Sequence, residues 1–310
     1  MSAPVASLPA RPAAGAPTLA RARVALVLLT VLWGSTFVVI EAGLGGASPF
    51  ALIAVRFAIA AAALVAFRPR ALVPALRATV PALPLTLTML LSFGLQTAGL
   101  QTTTPARSAF LTSLMVVFVP GFEVLYTRRA PSPRVLGAVL LASLGVFALF
   151  HPVGLEWRLG DTLTLLSAVT FGYYVSAVAR AAPRFDAVAL VLAQSLGIAA
   201  LAVPCALVFE TPRFAFAAPT LLAVAYLGVV CTALTFTVMT RAQAVVAPVE
   251  ASVLYTLEPA VAAGLSLLFA RDVWRWQLGA GGALLLVAAL VAATTPDPAS
   301  APDVAGPAPP

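Results

Sequence analysis

Apolar residues form ten runs of about 18 to 23 residues along the chain, separated by short segments that contain arginine, proline or glycine. A helix needs about 20 residues to cross the hydrocarbon core of a bilayer. The pattern therefore predicts an all-α integral membrane protein with ten transmembrane helices. They are predicted over residues 25–44, 49–67, 79–100, 105–126, 134–151, 159–180, 187–209, 219–240, 248–270 and 275–293.

Both ends of the chain have a different pattern. Residues 1–24 are rich in alanine and proline, and residues 294–310 contain six prolines. Such segments bury too little apolar surface to offset the entropy of folding. We predict disordered tails at both ends. The first apolar run is too long for the core of a signal peptide and is retained as a helix.

Composition narrows the class of function. Of the 310 residues, 61% are hydrophobic and 9% are charged, and the mean hydropathy is +1.03, which excludes a soluble domain. All 18 basic residues are arginine, so the chain has no lysine for a Walker A loop and is not an ATP-driven pump by itself. His151 is the single histidine, and Cys205 and Cys231 lack metal-ligand spacing. We therefore expect no metal and no cofactor.

The distribution of arginine predicts orientation. If the N-terminus is cytoplasmic, twelve arginines lie on the cytoplasmic side and five on the outer side, while Arg56 lies within a helix. Basic residues resist translocation, so this excess predicts that both termini are cytoplasmic. The net charge of +7 is thus explained by topology, without nucleic acid as a partner. The lipid bilayer is the expected partner, in the bacterial inner membrane.

Short matches between the two halves of the chain predict a repeat. Thr36-Phe37 matches Thr170-Phe171, and similar matches open predicted helices 4 and 9 and predicted helices 5 and 10, at offsets of 134 to 143 residues. Each half, 25–151 and 159–293, then holds five helices. An odd number inverts the second half relative to the first, which is typical of secondary transporters with a substrate site at the repeat interface.

Several of these tracts together resemble a known family. Trp33-Gly34-Ser35-Thr36-Phe37, Arg56, Gly160-Asp161 and Leu257-Glu258-Pro259 are similar to the EamA-type members of the drug/metabolite transporter superfamily. The resemblance covers about 25–293 and implies two inverted five-helix repeats around a cavity, with helices 5 and 10 away from it. The family often has Gly-Glu after the fourth and ninth helices, where this chain has Thr127-Arg128 and Arg271-Asp272. Within the family, bacterial amino acid exporters, including YddG-like aromatic amino acid exporters, are most similar.

Charged residues within spans are candidates for transport chemistry, because burying a charge in the bilayer is costly. Arg56 lies about seven residues into helix 2; it is either a substrate contact, or it pairs with Glu41 or with the carbonyls of a broken helix. Glu258 lies near the bilayer centre beside Pro259, which frees a carbonyl one turn back. Glu258 is either a coupling site for protons or a ligand for a substrate ammonium, or it is a packing residue bonded to a neighbouring helix.

Other charges lie at helix ends. Arg107 and Glu250 open helices 4 and 9 at equivalent repeat positions, so they are predicted at opposite mouths of the cavity. They either guide a zwitterion or are solvated residues at helix ends. Asp161 is predicted as the N-cap of helix 6, Glu123 as a partner of Arg128 or Arg129, and His151 as a surface residue.

Aromatic and polar positions predict the lining of the cavity. Several of them recur one helical turn apart, which places them on one helix face. The candidates are Trp33, Phe37, Gln96, Thr170, Tyr174, Gln194, Phe236, Ser252 and Tyr255. Rings with a few hydroxyls and amides suit a small amphipathic molecule better than a bare ion. Interhelical packing is the competing explanation for each of them.

These observations favour a secondary transporter that exports small metabolites, most simply amino acids, by alternating access, with protons as a possible coupling ion. The alternatives are a transporter of another metabolite or drug class and, from a different class, a polytopic membrane enzyme. The residue patterns of metal-dependent prenyl transfer and of intramembrane proteolysis are absent from the sequence. The expected oligomeric state is a monomer or a weak oligomer.

Overall fold

The computed structural model describes residues 17–150, 156–268 and 276–294, and all regular secondary structure in these ranges is helical. Two short 3₁₀ turns, Pro69–Ala71 and Ala182–Arg184, and a π-helical turn, Val229–Leu234, join some of the α-helices. The α-helices are α1 (Leu19–Gly34), α2 (Thr36–Leu44), α3 (Pro49–Phe67), α4 (Leu72–Ala78), α5 (Leu83–Gly99), α6 (Pro105–Ser113), α7 (Met115–Thr127), α8 (Pro133–Phe150), α9 (Leu159–Ala181), α10 (Ala187–Phe209), α11 (Ala218–Gly228), α12 (Thr235–Gln243), α13 (Pro248–Tyr255), α14 (Leu257–Leu268) and α15 (Trp276–Thr294).

Seven stretches within the described ranges are long and apolar enough to cross a bilayer, and α4 with α5 makes an eighth if that pair, bent by 99°, is one span. The shorter apolar stretch Pro133–Ala148 and the pair α13 and α14 correspond to the remaining predicted helices. The all-helical fold is therefore confirmed. The number of ten transmembrane helices stays a prediction.

The first helix begins earlier than the sequence pattern predicts. Leu19 is the first helical residue, because the Thr18 hydroxyl accepts a hydrogen bond from the Arg21 backbone N–H and caps the helix. Residues 19–24 were predicted as part of the disordered tail and are helical. His151, Arg271 and Asp272 lie outside the described residues, as does nearly all of the predicted C-terminal tail.

Several predicted helices are broken in the middle. The α-helix is interrupted at Ser35 in the first, at Leu114 in the fourth and at Thr256 in the ninth, and each break separates two α-helices. Another break is the π-helical turn between α11 and α12. Broken helices leave backbone polar groups free, and these are tolerated at membrane depth only where protein or a cavity surrounds them.

The helices pack around a continuous buried core, with a smaller cluster around Phe37, Leu52 and Leu227. The most extensive helix–helix contacts join α8 to α15, α3 to α10 and α5 to α9. Many large apolar side chains are exposed on the outer faces, including those of Leu91 and Leu144. Exposed apolar faces of this extent are expected when the surrounding solvent is lipid.

Contacts along α9 distinguish the two ends of the bundle. The Gln243 side chain, at the end of α12, donates to the carbonyl of Val175 in the second half of α9. Glu250, a few residues after Gln243, contacts Arg23 near the start of α1. Asp161 lies at the opposite end of α9, about 20 Å from Val175 at 1.5 Å per residue. We call the end with Arg23 and Glu250 the N side, and the end with Asp161 the opposite side.

On the opposite side, Glu210 joins the end of α10 to the start of α3. Its carboxylate accepts hydrogen bonds from the Ser48 hydroxyl (2.6 Å) and from the backbone N–H groups of Phe50 and Ala51 (both 3.1 Å). The first amides of a helix have no partner within the helix. Glu210 thus caps α3 from a distant part of the chain.

Candidate functional site

A cavity of about 60 Å³ lies next to the breaks at Ser35, Leu114 and Thr256, since residues on both sides of each break line it. This space holds a few water molecules. The lining residues come from α1, α2, α3, α5, α6, α7, α9, α12, α13 and α14. They are Trp33, Thr36, Phe37, Arg56, Phe93, Gln96, Thr112, Met115, Phe171, Tyr174, Val175, Phe236, Met239, Tyr255 and Glu258. None of these residues belongs to α8 or α15, which agrees with the prediction that these two helices lie away from the cavity.

Aromatic rings form most of the cavity wall. The Trp33 ring centroid lies 5.3 Å from that of Tyr255 and 5.6 Å from that of Phe236. Phe93 makes edge-to-face contacts at 5.3 Å with Phe171. Contacts of this geometry stabilise ring pairs beyond the burial of their area. The Trp33 indole N–H also donates to the Thr235 hydroxyl at 3.0 Å, which fixes the orientation of this ring.

Arg56 is buried, and its side chain is held on two sides. Its Nε donates to the Thr232 hydroxyl at 2.8 Å, and its Nη2 donates to the Cys231 carbonyl at 3.4 Å. The guanidinium carbon lies 4.5 Å from the centroid of the Phe93 ring, a cation–π distance. The sequence analysis left two structural partners open for Arg56, namely Glu41 and the carbonyls of a broken helix. The structure shows the second of these, the Cys231 carbonyl. Glu41 is exposed and makes no ion pair with Arg56 among the described residues.

The partners of Arg56 exist because the backbone between α11 and α12 is π-helical. In this turn the Thr232 hydroxyl donates to the Leu227 carbonyl, five residues earlier, at 2.8 Å and keeps a lone pair for Arg56. Single π turns inside α-helices are frequent at functional sites. Gly228 permits the close approach of the two helices, because a Cβ at this position would lie 2.8 Å from the Arg56 carbonyl oxygen.

Glu258 has a different environment from Arg56. Its side chain is 8% exposed and faces the cavity, but within the described part of the chain it has neither a hydrogen bond nor an ion pair. No group of three or more His, Cys, Asp or Glu in the described ranges is arranged to hold a metal ion, so Glu258 is not part of such a cluster. It is the second residue of α14, the helix that follows the break at Thr256.

Three of the predicted lining residues are not on the cavity wall. Thr170 accepts a hydrogen bond from the Ser92 hydroxyl at 2.8 Å. Gln194 accepts one from the Tyr174 hydroxyl at 3.0 Å. Ser252 is fully buried and donates to the Val249 carbonyl of its own helix. Thr170 and Gln194 therefore join neighbouring helices, and Gln194 fixes a residue that does line the cavity.

Arg107 and Glu250 lie at opposite ends of the bundle, as predicted, but each is paired. Arg107 Nη2 donates to Asp161 Oδ2 at 2.6 Å, and Asp161 is fully buried. Arg23 donates through Nε and Nη2 to both carboxylate oxygens of Glu250. The interpretation of these residues as solvated helix ends is wrong, since both carry ion pairs between helices.

Two further charged residues have partners that the sequence did not predict. Glu123 forms a bidentate pair with Arg180 at 2.9 and 3.0 Å, rather than pairing with Arg128 or Arg129. Asp161 was predicted as the N-cap, but the observed N-cap of α9 is Arg158, and Asp161 lies three residues later in the first turn. It still satisfies an amide of the helix start, because it accepts from the Arg158 backbone N–H at 2.9 Å.

The structure adds lining residues that the sequence analysis did not select. They are Thr36, Phe93, Thr112, Met115, Val175 and Met239. Thr112 and Met115 flank the break at Leu114, and Thr112 accepts a hydrogen bond from the Gln96 amide at 3.0 Å. Threonine and methionine are common in membrane-spanning helices, so nothing in the sequence indicated that these two residues line a cavity. Phe93, in contrast, lies close to Gln96 on the same helix and was detectable from its spacing.

Comparisons with known proteins agree with this architecture. The sequence profile of the EamA-like transporter family matches residues 21–151 and 158–294. The chain is 31% identical over 191 residues to an uncharacterized transporter of Archaeoglobus fulgidus; this match covers 61% of the chain and 58% of the relative. The chain thus spans a little over half the length of that relative. A crystal structure of a protein with 20% sequence identity matches with a TM-score of 0.75, over 88% of this chain and 97% of the other, which supports the fold alone.

The family profile occurs twice and covers most of the chain. The chain therefore belongs to the EamA-like transporter family and is a multi-pass membrane protein. The family resemblance expected from the sequence is confirmed at this level.

Proposed function

We propose that this chain is a secondary transporter that exports amino acids by alternating access through the central cavity. The observation that carries the proposal is that Arg56 and Glu258, two opposite charges, line one cavity without pairing to each other. Unpaired opposite charges at membrane depth are costly, and such residues mark substrate pathways. A ligand that carries both charges complements this pair.

The chemistry of each group fits one end of an amino acid. The guanidinium of Arg56 is a planar fork of donors that matches a carboxylate. The carboxylate of Glu258 accepts hydrogen bonds from an ammonium group. The rings of Trp33, Phe93 and Phe236 surround the space between them, which favours an apolar or aromatic side chain. A ring-lined wall of this kind also supports the YddG-like aromatic amino acid exporter as the subgroup, because aromatic rings pack favourably against an aromatic side chain.

The helix contacts support two inverted five-helix repeats and, with them, ten transmembrane helices. The repeat relates predicted helix 3 to helix 8 and predicted helix 6 to helix 1. The contact between α5 (helix 3) and α9 (helix 6) therefore corresponds to the contact between α12 (helix 8) and α1 (helix 1), and both contacts are extensive. In two further extensive contacts, the partners are equivalent helices of the two repeats: α3 with α10 (helices 2 and 7) and α8 with α15 (helices 5 and 10). The breaks at Leu114 and Thr256 also correspond. Inverted repeats of this kind allow one half to rock against the other.

We further propose that both termini face the cytoplasm and that the protein lies in the bacterial inner membrane. Twelve arginines against five support this orientation. The N side is then the cytoplasmic side. Reporter fusions at Arg129 and Arg213 should report the inside and the outside respectively, and the same side for both would overturn the proposed topology.

The substrate proposal is tested with purified protein in liposomes. Uptake of radiolabelled leucine is measured in competition with phenylalanine, with the amine that lacks its carboxylate, and with the acid that lacks its ammonium group. We expect competition by phenylalanine and a loss of at least about tenfold for each analogue, because each leaves one buried charge without a partner. Equal competition by either analogue would overturn the zwitterion proposal, as would the absence of leucine uptake together with uptake of an unrelated drug or metabolite.

A further inference from the structure

Two ion pairs lie at the two ends of the bundle, and the cavity lies between them. Arg23 with Glu250 is on the N side, and Arg107 with Asp161 is on the opposite side. Trp33 is ten residues along α1 from Arg23, and Phe171 is ten residues along α9 from Asp161. At 1.5 Å per residue, the cavity is about 15 Å from each ion pair.

The two ion pairs have the same construction with reversed charges. In each, one partner lies in the first turn of a half-helix that begins with proline, which is α6 for Arg107 and α13 for Glu250. The other partner lies near the start of a long helix that lines the cavity, which is α9 for Asp161 and α1 for Arg23. Each ion pair therefore fastens the outer end of a half-helix to a neighbouring cavity helix.

Each half-helix ends at a break next to the cavity. The helix α6 ends before Leu114, between the lining residues Thr112 and Met115, and α13 ends before Thr256, between Tyr255 and Glu258. Residues at the ends of helical elements are common hinge positions, because they absorb changes in φ and ψ. A break at the cavity end of each half-helix therefore allows its outer end to move when the ion pair is released.

Both ion pairs are also shielded from water to a degree that makes them stronger than surface pairs. Asp161 is fully buried and accepts a second hydrogen bond from the Thr103 hydroxyl, and the Glu250 side chain is 11% exposed. Exposed ion pairs contribute little, whereas partly buried and bidentate pairs hold their geometry. The pair between Arg68 and Asp186 is a contrast, since both of its side chains are more than 40% exposed.

We propose that the two ion pairs are the gates of the cavity: Arg23 with Glu250 closes the N side, Arg107 with Asp161 closes the opposite side, and they open in turn. The proposal rests on the proposed alternating access but not on the identity of the substrate. Both gates are closed in this structure. Breaking one gate shifts the population toward the state that is open on that side.

The test measures from which side the cavity is accessible. In a background with Cys205→Ser and Cys231→Ala, Met115→Cys places one thiol on the cavity wall. Vesicles of known orientation are treated from one side at a time with a charged, membrane-impermeant thiol reagent. We expect Arg107→Gln to raise the labelling rate about tenfold from the opposite side only, and Arg23→Gln to raise it similarly from the N side only.

Two control variants separate gating from loss of structure. Arg68→Gln removes an equal charge from the exposed ion pair and should leave labelling from both sides unchanged. The exchange Arg23→Glu with Glu250→Arg restores the N-side pair and should return labelling toward the background value. Unchanged labelling in both neutralised variants, or labelling that rises from both sides and is not reversed by the exchange, overturns the proposal. No substrate is needed, so failure here is distinct from failure of the zwitterion proposal.

Discussion

The two charged walls of the cavity differ in how firmly their charges are held. The Arg56 guanidinium has a hydroxyl, a carbonyl and a ring as neighbours, at 2.8, 3.4 and 4.5 Å. Glu258 is buried and lines the same cavity, without a hydrogen bond or an ion pair in the described part of the chain. The charge of Arg56 is therefore fixed by polar and aromatic partners, whereas Glu258 has no polar partner among the described residues.

This difference suggests a division of roles within the proposed site. A charge that is already oriented binds its partner without a further loss of side-chain entropy, so Arg56 is suited to anchor a carboxylate. A carboxyl group without protein partners gains most from a ligand ammonium or from a proton, so Glu258 is suited to respond to what occupies the cavity. The predictions below test whether the two walls differ in this way.

The largest effect is expected for Arg56→Gln. Hydrogen bonds to charged groups contribute about 1.5 to 3 kcal/mol, which corresponds to about 10- to 150-fold. We expect the amino acid uptake at low substrate concentration to fall by this factor at every pH, because the carboxylate loses its anchor. The measurement is initial uptake in proteoliposomes, normalised to the amount of folded protein.

Arg241→Gln is the matched control for this variant. Arg241 is exposed, lies on α12 and has no ion pair in the described part of the chain. Its substitution by glutamine therefore removes the same charge as Arg56→Gln without changing a residue of the cavity wall. Its uptake should equal that of the unmodified protein. Uptake by Arg56→Gln that stays within twofold of this control would show that Arg56 is a packing residue.

A smaller and different effect is expected for Glu258→Gln. Glutamine keeps the size and the hydrogen-bonding capacity but cannot ionise, and charge-assisted bonds are about twice as strong as neutral ones. We expect uptake to fall about 3- to 10-fold and to become independent of pH between pH 5 and pH 8, roughly the range accessible in liposomes. Glu41→Gln, at an exposed carboxylate, is the control and should keep the original pH profile. If Glu258→Gln keeps both the rate and the pH profile, the proposed proton coupling fails.

The smallest effect is expected for Thr232→Val, which removes the hydroxyl that positions Arg56. The lost bond is to a charged group, for which about 1.5 to 3 kcal/mol is typical, but the guanidinium keeps the Cys231 carbonyl and the Phe93 ring as partners. Only part of that free energy therefore reaches substrate binding, and we expect KM to rise about 2- to 5-fold while the maximal rate changes little. Thr237→Val is the control, since Thr237 is buried on α12 and, within the described ranges, its hydroxyl bonds to the Ala233 carbonyl alone. An equal rise in both variants would place the effect in general packing and not in the π-helical turn.

Much of the fold follows from the sequence, because lipid imposes a simple rule. Every backbone group in a span must be satisfied internally, so apolar runs of sufficient length become helices. For this reason the observed α3 coincides with predicted residues 49–67, and α10 with 187–209. The π-helical turn at Val229–Leu234 was not predictable, since its residues are ordinary helix-compatible ones and nothing in their order distinguishes a π turn from an α turn.

The candidate site was predictable to the level of the helix face. Trp33 and Phe37, one turn apart, both line the cavity, and so do Tyr174 and Phe236. The choice of neighbour was not predictable. Thr170 shares a face with Tyr174 but is turned toward Ser92, and the partners of Arg107 and Glu250 lie 54 and 227 residues away in the chain. Such contacts depend on the tertiary arrangement, which no local pattern encodes.

The cap that Glu210 places on α3 has a consequence for biosynthesis. The backbone amides of Phe50 and Ala51 donate to the carboxylate of Glu210, which is synthesised about 160 residues later in the chain. At about 5 to 20 residues per second, the ribosome needs roughly 8 to 30 seconds to make that stretch. Until then these amides need another partner, such as water, because the first amides of a helix have none within the helix. The cap of α3 therefore forms only after Glu210, at the end of α10, has been made, so a contact that completes the first half of the chain is supplied by the second half.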